Sequence, residues 1–224
     1  MARITIDLEP LAGLYGNNTD LVKAIVKNAL ACEIAGADGV VINGGKDFDQ
    51  ARRKVVNILV DSLEIALAVR IGAEEKPLSI MQDIKPAMAI ISFDRDKKGL
   101  LASAVTSLQI ENILVALDIP TEMEYVKEAA KLKADYIIVN CAAYCAARTL
   151  NAQLDELEKI TKLAGLCSRL SLGVIAAGPF TPHHVSKMRN TNQIEEYITG
   201  LPFFSNSLIH GYEKTIDALK SSLA

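Results

Sequence analysis

Eight short apolar runs, each followed by a stretch with helical periodicity, fill this chain from end to end. The runs cover residues 4–8, 39–43, 65–71, 87–93, 112–117, 136–140, 172–177 and 196–200. They are apolar throughout instead of alternating, which is typical of parallel strands buried on both faces. Eight such units in 224 residues predict an α/β fold with an eight-stranded parallel sheet, the (β/α)8 or TIM barrel. The alternative is a doubly wound open sheet of about six strands.

The barrel interpretation fixes where each strand ends and where several helices begin. The predicted strand ends are Leu8, Asn43, Ile71, Phe93, Leu117, Asn140, Ala177 and Gly200. Residues 17–20 offer an N-cap, Pro120 to Glu124 read as a capping box for a helix to about Leu132, and Asn151 opens a long helix. One last helix is predicted from Pro202 to the C-terminus. No linker or composition shift appears, so residues 1–224 are predicted to form one domain.

Composition and charge exclude several classes of function. The chain carries a net charge of −3 with 23% charged residues, which gives no reason to expect nucleic acid or an anionic membrane as a partner. It has no apolar run of about 18 residues, and its N-terminus enters the first strand directly, which predicts no signal peptide. Four cysteines then predict reduced thiols in a cytoplasmic protein. Cys141 and Cys145 lack a second pair at zinc-binding spacing, so free thiols are favoured over a metal site.

Several segments, taken in order, resemble one enzyme family. They are the opening residues 1–14, Ile-Ala-Gly-Ala-Asp-Gly at 34–39, Ile84-Lys85-Pro86, Leu132-Lys133-Ala134-Asp135, Ala143-Tyr144-Cys145-Ala146, Ile194-Glu195-Glu196 and Gly200. Together the chain resembles pyridoxine 5′-phosphate synthase, the barrel enzyme that closes the pyridine ring of vitamin B6. The resemblance implies condensation of 1-deoxyxylulose 5-phosphate with 3-amino-2-oxopropyl phosphate. It also implies two bound phosphates, no metal, no redox cofactor and a homo-oligomer.

The chain departs from this family at the strand ends that carry its chemistry. The family assigns proton transfers to strands 2, 3, 6 and 7, and the matching positions here are Asn43, Arg70, Ile138 and Gly178 with Pro179. The family histidine on strand 6 corresponds to Asn140. General acids and bases need a pKa near the working pH, which Asn, Ile and Gly side chains cannot supply. The first loop, at residues 15–18, is short, and residues 94–99 lack the family's lid sequence. A divergent member with little parent activity is therefore predicted.

Charged residues nonetheless remain at the predicted barrel mouth. Asp7 and Glu9 would share one strand face, and Arg70 from strand 3 would reach them. Since an unpaired charge in an apolar barrel is costly, Asp7 or Glu9 is predicted to pair with Arg70. One interpretation is an internal salt-bridge network, and the other is a carboxylate pair that serves as acid and base. The candidate catalytic positions are Asp7, Glu9, Asn43, Arg70 and Asn140.

A phosphate site is predicted after the last two strands. Gly178, Thr199, Gly200 and Leu201 precede helices, where backbone N–H groups and the helix dipole attract anions. Pro179 and Pro202 each remove a donor, which argues against it. The Gly44-Gly45-Lys46 loop is a second, weaker anion candidate. His183, His184 and His210 fall in helical segments and are interpreted as packing or surface residues.

Two functions from different classes remain open. One is an enzyme, either a true or a divergent pyridoxine 5′-phosphate synthase. The other is a non-catalytic or repurposed barrel that binds a small phosphorylated ligand or a protein partner. The charged residues of the rim discriminate between them, namely Asp7, Glu9, Lys46, Asp47, Arg70 and Arg95. Convergence on an open pocket favours an altered enzyme. Pairing of these residues, with the rim filled by Phe93, Phe180, Phe203 or Phe204, favours a binding role.

Overall fold

Eight parallel strands close into a barrel in this computed structural model, which describes residues 2–15, 19–45 and 48–223. The strands are β1 (Arg3–Asp7), β2 (Gly39–Asn43), β3 (Ala66–Ile71), β4 (Met88–Ser92), β5 (Leu114–Ile119), β6 (Tyr136–Asn140), β7 (Gly173–Ala177) and β8 (Ile194–Thr199). Each strand pairs with the next in the chain, and β8 pairs with β1 through partners such as Ile4 and Tyr197. The predicted (β/α)8 barrel is confirmed, and the open sheet is excluded.

Helices connect the strands and cover the outside of the barrel. In the described part of the chain they are α1 (Glu9–Tyr15), α2 (Thr19–Ile34), α3 (Gln50–Ser62), α4 (Glu75–Ile84), α5 (Lys98–Ile110), α6 (Met123–Lys131), α7 (Ala142–Ala146), α8 (Leu150–Arg169), α9 (Pro182–Met188), α10 (Leu201–His210) and α11 (Tyr212–Ser221). A 3₁₀ helix, Arg95–Lys97, precedes α5. Asn17 and Asn18 of the predicted N-cap lie outside the described residues. No described helix is long and apolar enough to cross a membrane.

The helix predicted up to about Leu132 is present as α6, but its predicted cap and the predicted continuity of the last helix are wrong, for identifiable reasons. The Thr121 hydroxyl does not cap α6, because it donates to the carbonyl of Asn140 at 3.3 Å. The helix starts instead after Glu122, without a side-chain cap. The predicted single C-terminal helix is interrupted at Gly211, whose φ of 82° lies in the left-handed region that favours glycine and divides α10 from α11. The long helix begins at Leu150, one residue before its predicted start.

The core has two layers, because successive side chains of a strand point to opposite faces. The barrel interior is filled by Val41, Ala68, Met88, Ile90, Ala116, Ile138, Ile175 and Ile198. Their strand neighbours, such as Val40 and Ile137, point outward into the larger cluster between sheet and helices. Both faces of the sheet are therefore apolar, as the uninterrupted runs predicted.

Two Ala-Asp pairs of the resemblance hold the amino-terminal end of the barrel together. The Asp38 carboxylate accepts from the backbone N–H of Ile4 and from Nζ of Lys220, each at 2.7 Å. Asp135 accepts from the backbone N–H of Val115 at 2.8 Å. Each carboxylate thus satisfies the N–H of the second residue of a neighbouring strand, and through Asp38 the Lys220 contact joins α11 to the start of β2. These motifs build the fold at the end opposite to the expected active site.

Candidate functional site at the barrel mouth

A ring of inward-facing residues forms the mouth at the carboxyl ends of the strands. Seven of its eight members lie two positions beyond a residue that fills the barrel interior, and Asp7 lies two positions beyond the buried Thr5. The ring consists of Asp7, Asn43, Arg70, Ser92, Asp118, Asn140, Ala177 and Gly200. The registers bring neighbours side by side, with Asn43 opposite Arg70 and Ser92 opposite Asp118. Polar groups thus collect at the end of the barrel where (β/α)8 enzymes place their active sites.

An ion pair spans the mouth between β1 and β3. Nη1 of Arg70 lies 2.8 Å from Oδ2 of Asp7, and the two side chains are 26% and 20% exposed. The other Asp7 oxygen accepts from the N–H of Glu9 at 3.0 Å. The predicted pairing of an acid with Arg70 is confirmed for Asp7. Because both Asp7 oxygens have partners, this carboxylate is held in place.

Glu9 has a different partner from the one predicted. β1 ends at Asp7, and Glu9 is the first residue of α1, so the two acids do not share a strand face. The Glu9 carboxylate accepts hydrogen bonds from both terminal nitrogens of Arg52, at 2.9 and 3.1 Å. Arg52 also donates to the carbonyl of Asn43 at 2.9 Å. This pair joins α1 to α3 and to the end of β2. In the sequence, only the basic residue near the start of α3 indicates it.

Asp118 is the ring residue that the sequence prediction missed. The predicted fifth strand ended at Leu117, whereas β5 runs from Leu114 to Ile119 and carries Asp118 inward. The side chain is half-buried, and that burial raises the pKa of Asp118, while the positive charge of Arg70 acts in the opposite direction. No donor among the described residues hydrogen-bonds to its carboxylate. Period-two alternation from Ala116 would have found it, given the correct strand limits.

The two asparagines shape the loops that leave the ring. Oδ1 of Asn43 accepts from the N–H of Gly45 at 2.8 Å, and Oδ1 of Asn140 accepts from the N–H of Ala142 at 2.9 Å. Each side chain therefore turns the chain immediately after its strand. The side-chain NH₂ groups are the parts of these residues that remain to contact a ligand. Lys46 and Asp47, which follow Asn43, lie outside the described residues.

The positions predicted to bind phosphate differ in the backbone and hydroxyl donors that they have available. A depression of about 200 Å³ is lined by residues that include Arg70, Gly178, Gly200 and Leu201. The N–H of Gly178 is already donated to Ile198, and the hydroxyl of Thr199 is donated to Phe180. These two residues therefore cannot supply the donors assigned to them. The remaining donors are first-turn N–H groups of α10, which begins at Leu201 and lacks one donor at Pro202.

Within the described part of the chain the mouth is open, and the aromatic residues do not fill it. Two further depressions, of about 560 and 320 Å³, share Ser92, and Arg70 lines the smaller of them as well as the α10 depression. Phe180, Phe203 and Phe204 are buried in the outer layer between sheet and helices. Phe93 belongs to the same layer and forms only part of one wall. The interpretation in which phenylalanines plug the rim is wrong.

Other candidates lie away from the mouth. Arg95 pairs with Glu124 and Glu128 and stacks over Tyr125 on the outer surface. His184 caps its own helix with Thr181, and burial lowers its pKa. All four cysteines are free thiols, and burial raises the pKa of Cys145 to about 12. Among the described residues no group of three or more His, Cys, Asp or Glu side chains comes together.

This geometry defines a class, a (β/α)8 barrel with a polar carboxyl-end mouth, and solved structures agree on the fold. 3-Keto-L-gulonate-6-phosphate decarboxylase from Vibrio cholerae superimposes with a TM-score of 0.70 at 16% identity, over 99% of this chain and 97% of that one. Phosphoribosyl anthranilate isomerase from Thermus thermophilus gives a TM-score of 0.61 at 13% identity, over 99% of this chain and 98% of that one. At such identities the likeness establishes the fold alone.

Sequence comparison identifies the family. The model of the pyridoxal phosphate biosynthesis protein PdxJ matches residues 17–224, and the chain belongs to this family. Pyridoxine 5′-phosphate synthase of Geotalea daltonii is 26% identical over 229 residues, and that of Geobacter sulfurreducens is 25% identical. Each alignment covers 96% of both chains. The resemblance found in the sequence is thus confirmed.

Close packing at Gly200 leads to a prediction about the mouth. A Cβ at Gly200 would lie 3.1 Å from the Asp7 carbonyl oxygen and 3.1 Å from Cγ of Pro10. Because backbone and a proline ring yield little, Gly200→Ala is expected to lower the free energy of unfolding by about 1–3 kcal/mol. Urea unfolding measures this change.

Gly13→Ala is the matched control. Gly13 lies inside α1 with open space around its Cβ position. Alanine there is expected to raise stability by up to about 1 kcal/mol, because glycine is the weaker helix former. A Gly200→Ala protein as stable as the wild type would contradict the packing argument.

Proposed function

We propose that this barrel binds a small phosphorylated ligand at its mouth and performs the reaction of its named relatives only weakly. The single observation that supports this proposal is the position of Arg70. Its guanidinium lies in the mouth, beside the depression at the start of α10 and within reach of the open centre. A phosphate near the α10 N-terminus would meet the Arg70 guanidinium and first-turn N–H groups, although the Asp7 carboxylate that pairs with Arg70 lines the same depression.

Fewer residues are proposed to contact the phosphate than the sequence predicted. Gly200 and Leu201 contribute backbone at the start of α10, and Arg70 contributes charge. Gly178 and Thr199 shape the wall, because their donors are used within the fold. The side-chain NH₂ groups of the two ring asparagines would be offered to hydroxyl or carbonyl groups of the ligand. The names of the V. cholerae and T. thermophilus barrels both specify a phosphorylated sugar group, which makes a phosphosugar a reasonable test compound.

The mouth residues also support a low rate of pyridoxine 5′-phosphate synthesis. Among the positions that the resemblance assigns to proton transfer, Ile138 is a buried member of the barrel interior. The side-chain oxygen Oδ1 of Asn43 accepts from the N–H of Gly45 in the following loop, and Arg70 donates to the Asp7 carboxylate. None of these three groups can exchange a proton near neutral pH. The repeated proton transfers of ring closure therefore lack the groups that the family uses.

The non-catalytic alternative has one observation in its favour. Arg70 and Asp7 neutralise each other, as in a structural salt bridge. Against it, the described residues leave the mouth open, and among them only the positive charge of Arg70 acts on the Asp118 carboxylate. Location in the cytoplasm, predicted from the reduced thiols, stays a prediction.

The ligand proposal predicts a loss of affinity in Arg70→Met. Binding of 1-deoxyxylulose 5-phosphate to the full chain, measured by calorimetry, is expected to weaken by at least about tenfold, since a charge-assisted hydrogen bond is worth about 1.5–3 kcal/mol. Arg53→Met is the control, because Arg53 pairs with Asp83 on the outer surface and its loss leaves the mouth unchanged. Equal affinities of the two variants would refute the proposed site.

The synthase proposal predicts weak turnover with both family substrates. Losing several general acid–base groups, each worth about 10²–10⁴ in rate, is expected to lower kcat/KM by at least about 10³ relative to the Geobacter sulfurreducens enzyme. The two proteins are assayed side by side, with the product followed by mass. Turnover within about tenfold of that relative would show that other mouth residues perform the proton transfers.

We also propose a homo-oligomer. The resemblance implies one, and α10 exposes large apolar side chains, with Leu208 at 89% and Ile209 at 77%. Burial of such residues between copies would remove them from water. Sedimentation velocity at micromolar concentration is expected to show species larger than the 24.2 kDa monomer. A single monomeric boundary would rule the oligomer out.

A further inference from the structure

The mouth contains two carboxylates in very different environments. Both oxygens of Asp7 have partners, at Arg70 and at the N–H of Glu9. Asp118 has no hydrogen-bond donor among the described residues, although it is half-buried. Its neighbours in the ring, Ser92 and Asn140, do not titrate, and among the described residues the charged group that acts on it is Arg70. Leaving a half-buried carboxylate without donors is costly for the fold, and such costs concentrate at functional sites.

Asp118 is also accessible from the open side of the mouth. With Ser92 and Asn140 it lines a depression of about 560 Å³ in the mouth. Arg70 is close enough for its charge to act on Asp118 while it borders the α10 depression. A ligand whose phosphate lies at α10 would therefore extend past Arg70 towards Asp118. Along the mouth the ligand phosphate would come first, then the Arg70 cation, and then the Asp118 carboxylate.

We propose that Asp118 is the general base of this mouth, acting on the carbon next to the carbonyl of a bound ketose phosphate. This inference rests on the proposed function. The carboxylate takes the proton, the C–H electron pair forms a carbon–carbon double bond, and the carbonyl electrons move to oxygen. Arg70 stabilises the resulting enolate oxygen. The carboxylic acid then returns a proton to the same carbon, so the cycle needs no oxidant, reductant or second substrate.

The environment of Asp118 suits this role. Desolvation disfavours its charged form and so raises its pKa, which strengthens it as a base. The folded protein then binds this proton more tightly than the unfolded chain, so Asp118 lowers stability as the pH rises through its pKa. Replacing it with asparagine is expected to raise stability at pH 8 and to have no such effect near pH 3. A trade of stability for chemistry of this kind is common at active sites.

The test is deuterium exchange into 1-deoxyxylulose 5-phosphate in D₂O, followed by proton NMR with the full chain. The wild type is expected to accelerate exchange at carbons next to the carbonyl, with a rate that rises with pH. Asp118→Asn is expected to lose at least about 100-fold of this rate, while calorimetry still shows the sugar phosphate bound. Asp61→Asn, which removes an exposed charge on α3, is the matched control and is expected to exchange at the wild-type rate.

The outcomes separate the two proposals. Binding without exchange in the wild type, or undiminished exchange in Asp118→Asn, overturns the role of Asp118 and leaves the ligand site standing. Absence of binding to the wild type overturns the ligand site and this inference together. The stability measurement adds a second check: a variant that is less stable than the wild type at pH 8 shows that Asp118 serves the fold.

Discussion

The pairing of β8 with β1 is the contact on which the rest of this structure depends. It closes eight strands into a ring, so that no sheet edge remains among the described strands and every strand has one face inside and one face outside. The interior is then too narrow for anything but side chains, which Val41, Ile90, Ile138 and Ile175 fill. Any group two positions beyond this apolar plug must emerge at the carboxyl end. Chemistry in this fold is therefore confined to a single ring of positions.

Arg70 organises the charge in that ring. It holds Asp7 in place at 2.8 Å and acts on Asp118 through its field. The result is an asymmetric pair of acids, one held by hydrogen bonds and one without them among the described residues. Enzymes commonly place two carboxylates in different environments, so that each can take a different role in acid–base chemistry. The same cation borders the depression at α10, so it connects anion binding to the acid–base group.

Sequence reasoning predicted the scaffold better than the site, and particular residues show why. Uninterrupted apolar runs placed β2, β6 and β7 at their observed carboxyl ends, because parallel buried strands leave a strong signal. Asp118 was missed because a shift of two residues at the end of β5 placed it in a loop. The sequence places Glu9 on the same strand face as Asp7, because nothing in it shows that the Asp7 side chain accepts from the Glu9 N–H where α1 begins. The donors of Gly178 and Thr199 are used in contacts with residues distant in the sequence. Sequence periodicity does not show such contacts.

The Asp38 and Asp135 contacts have a consequence for what family likeness means in this chain. Most segments that carry the resemblance, at 34–39, 84–86, 132–135 and 194–196, lie where strands begin. There, Asp38 holds Ile4 and Lys220 while Asp135 holds Val115. The residues that would do chemistry lie one strand length away, at the opposite rim. The segments that carry the family resemblance and the residues proposed for chemistry therefore lie at opposite ends of the same barrel. Substitutions at the carboxyl ends of single strands can therefore change the chemistry while the contacts that hold the opposite end of the barrel stay in place.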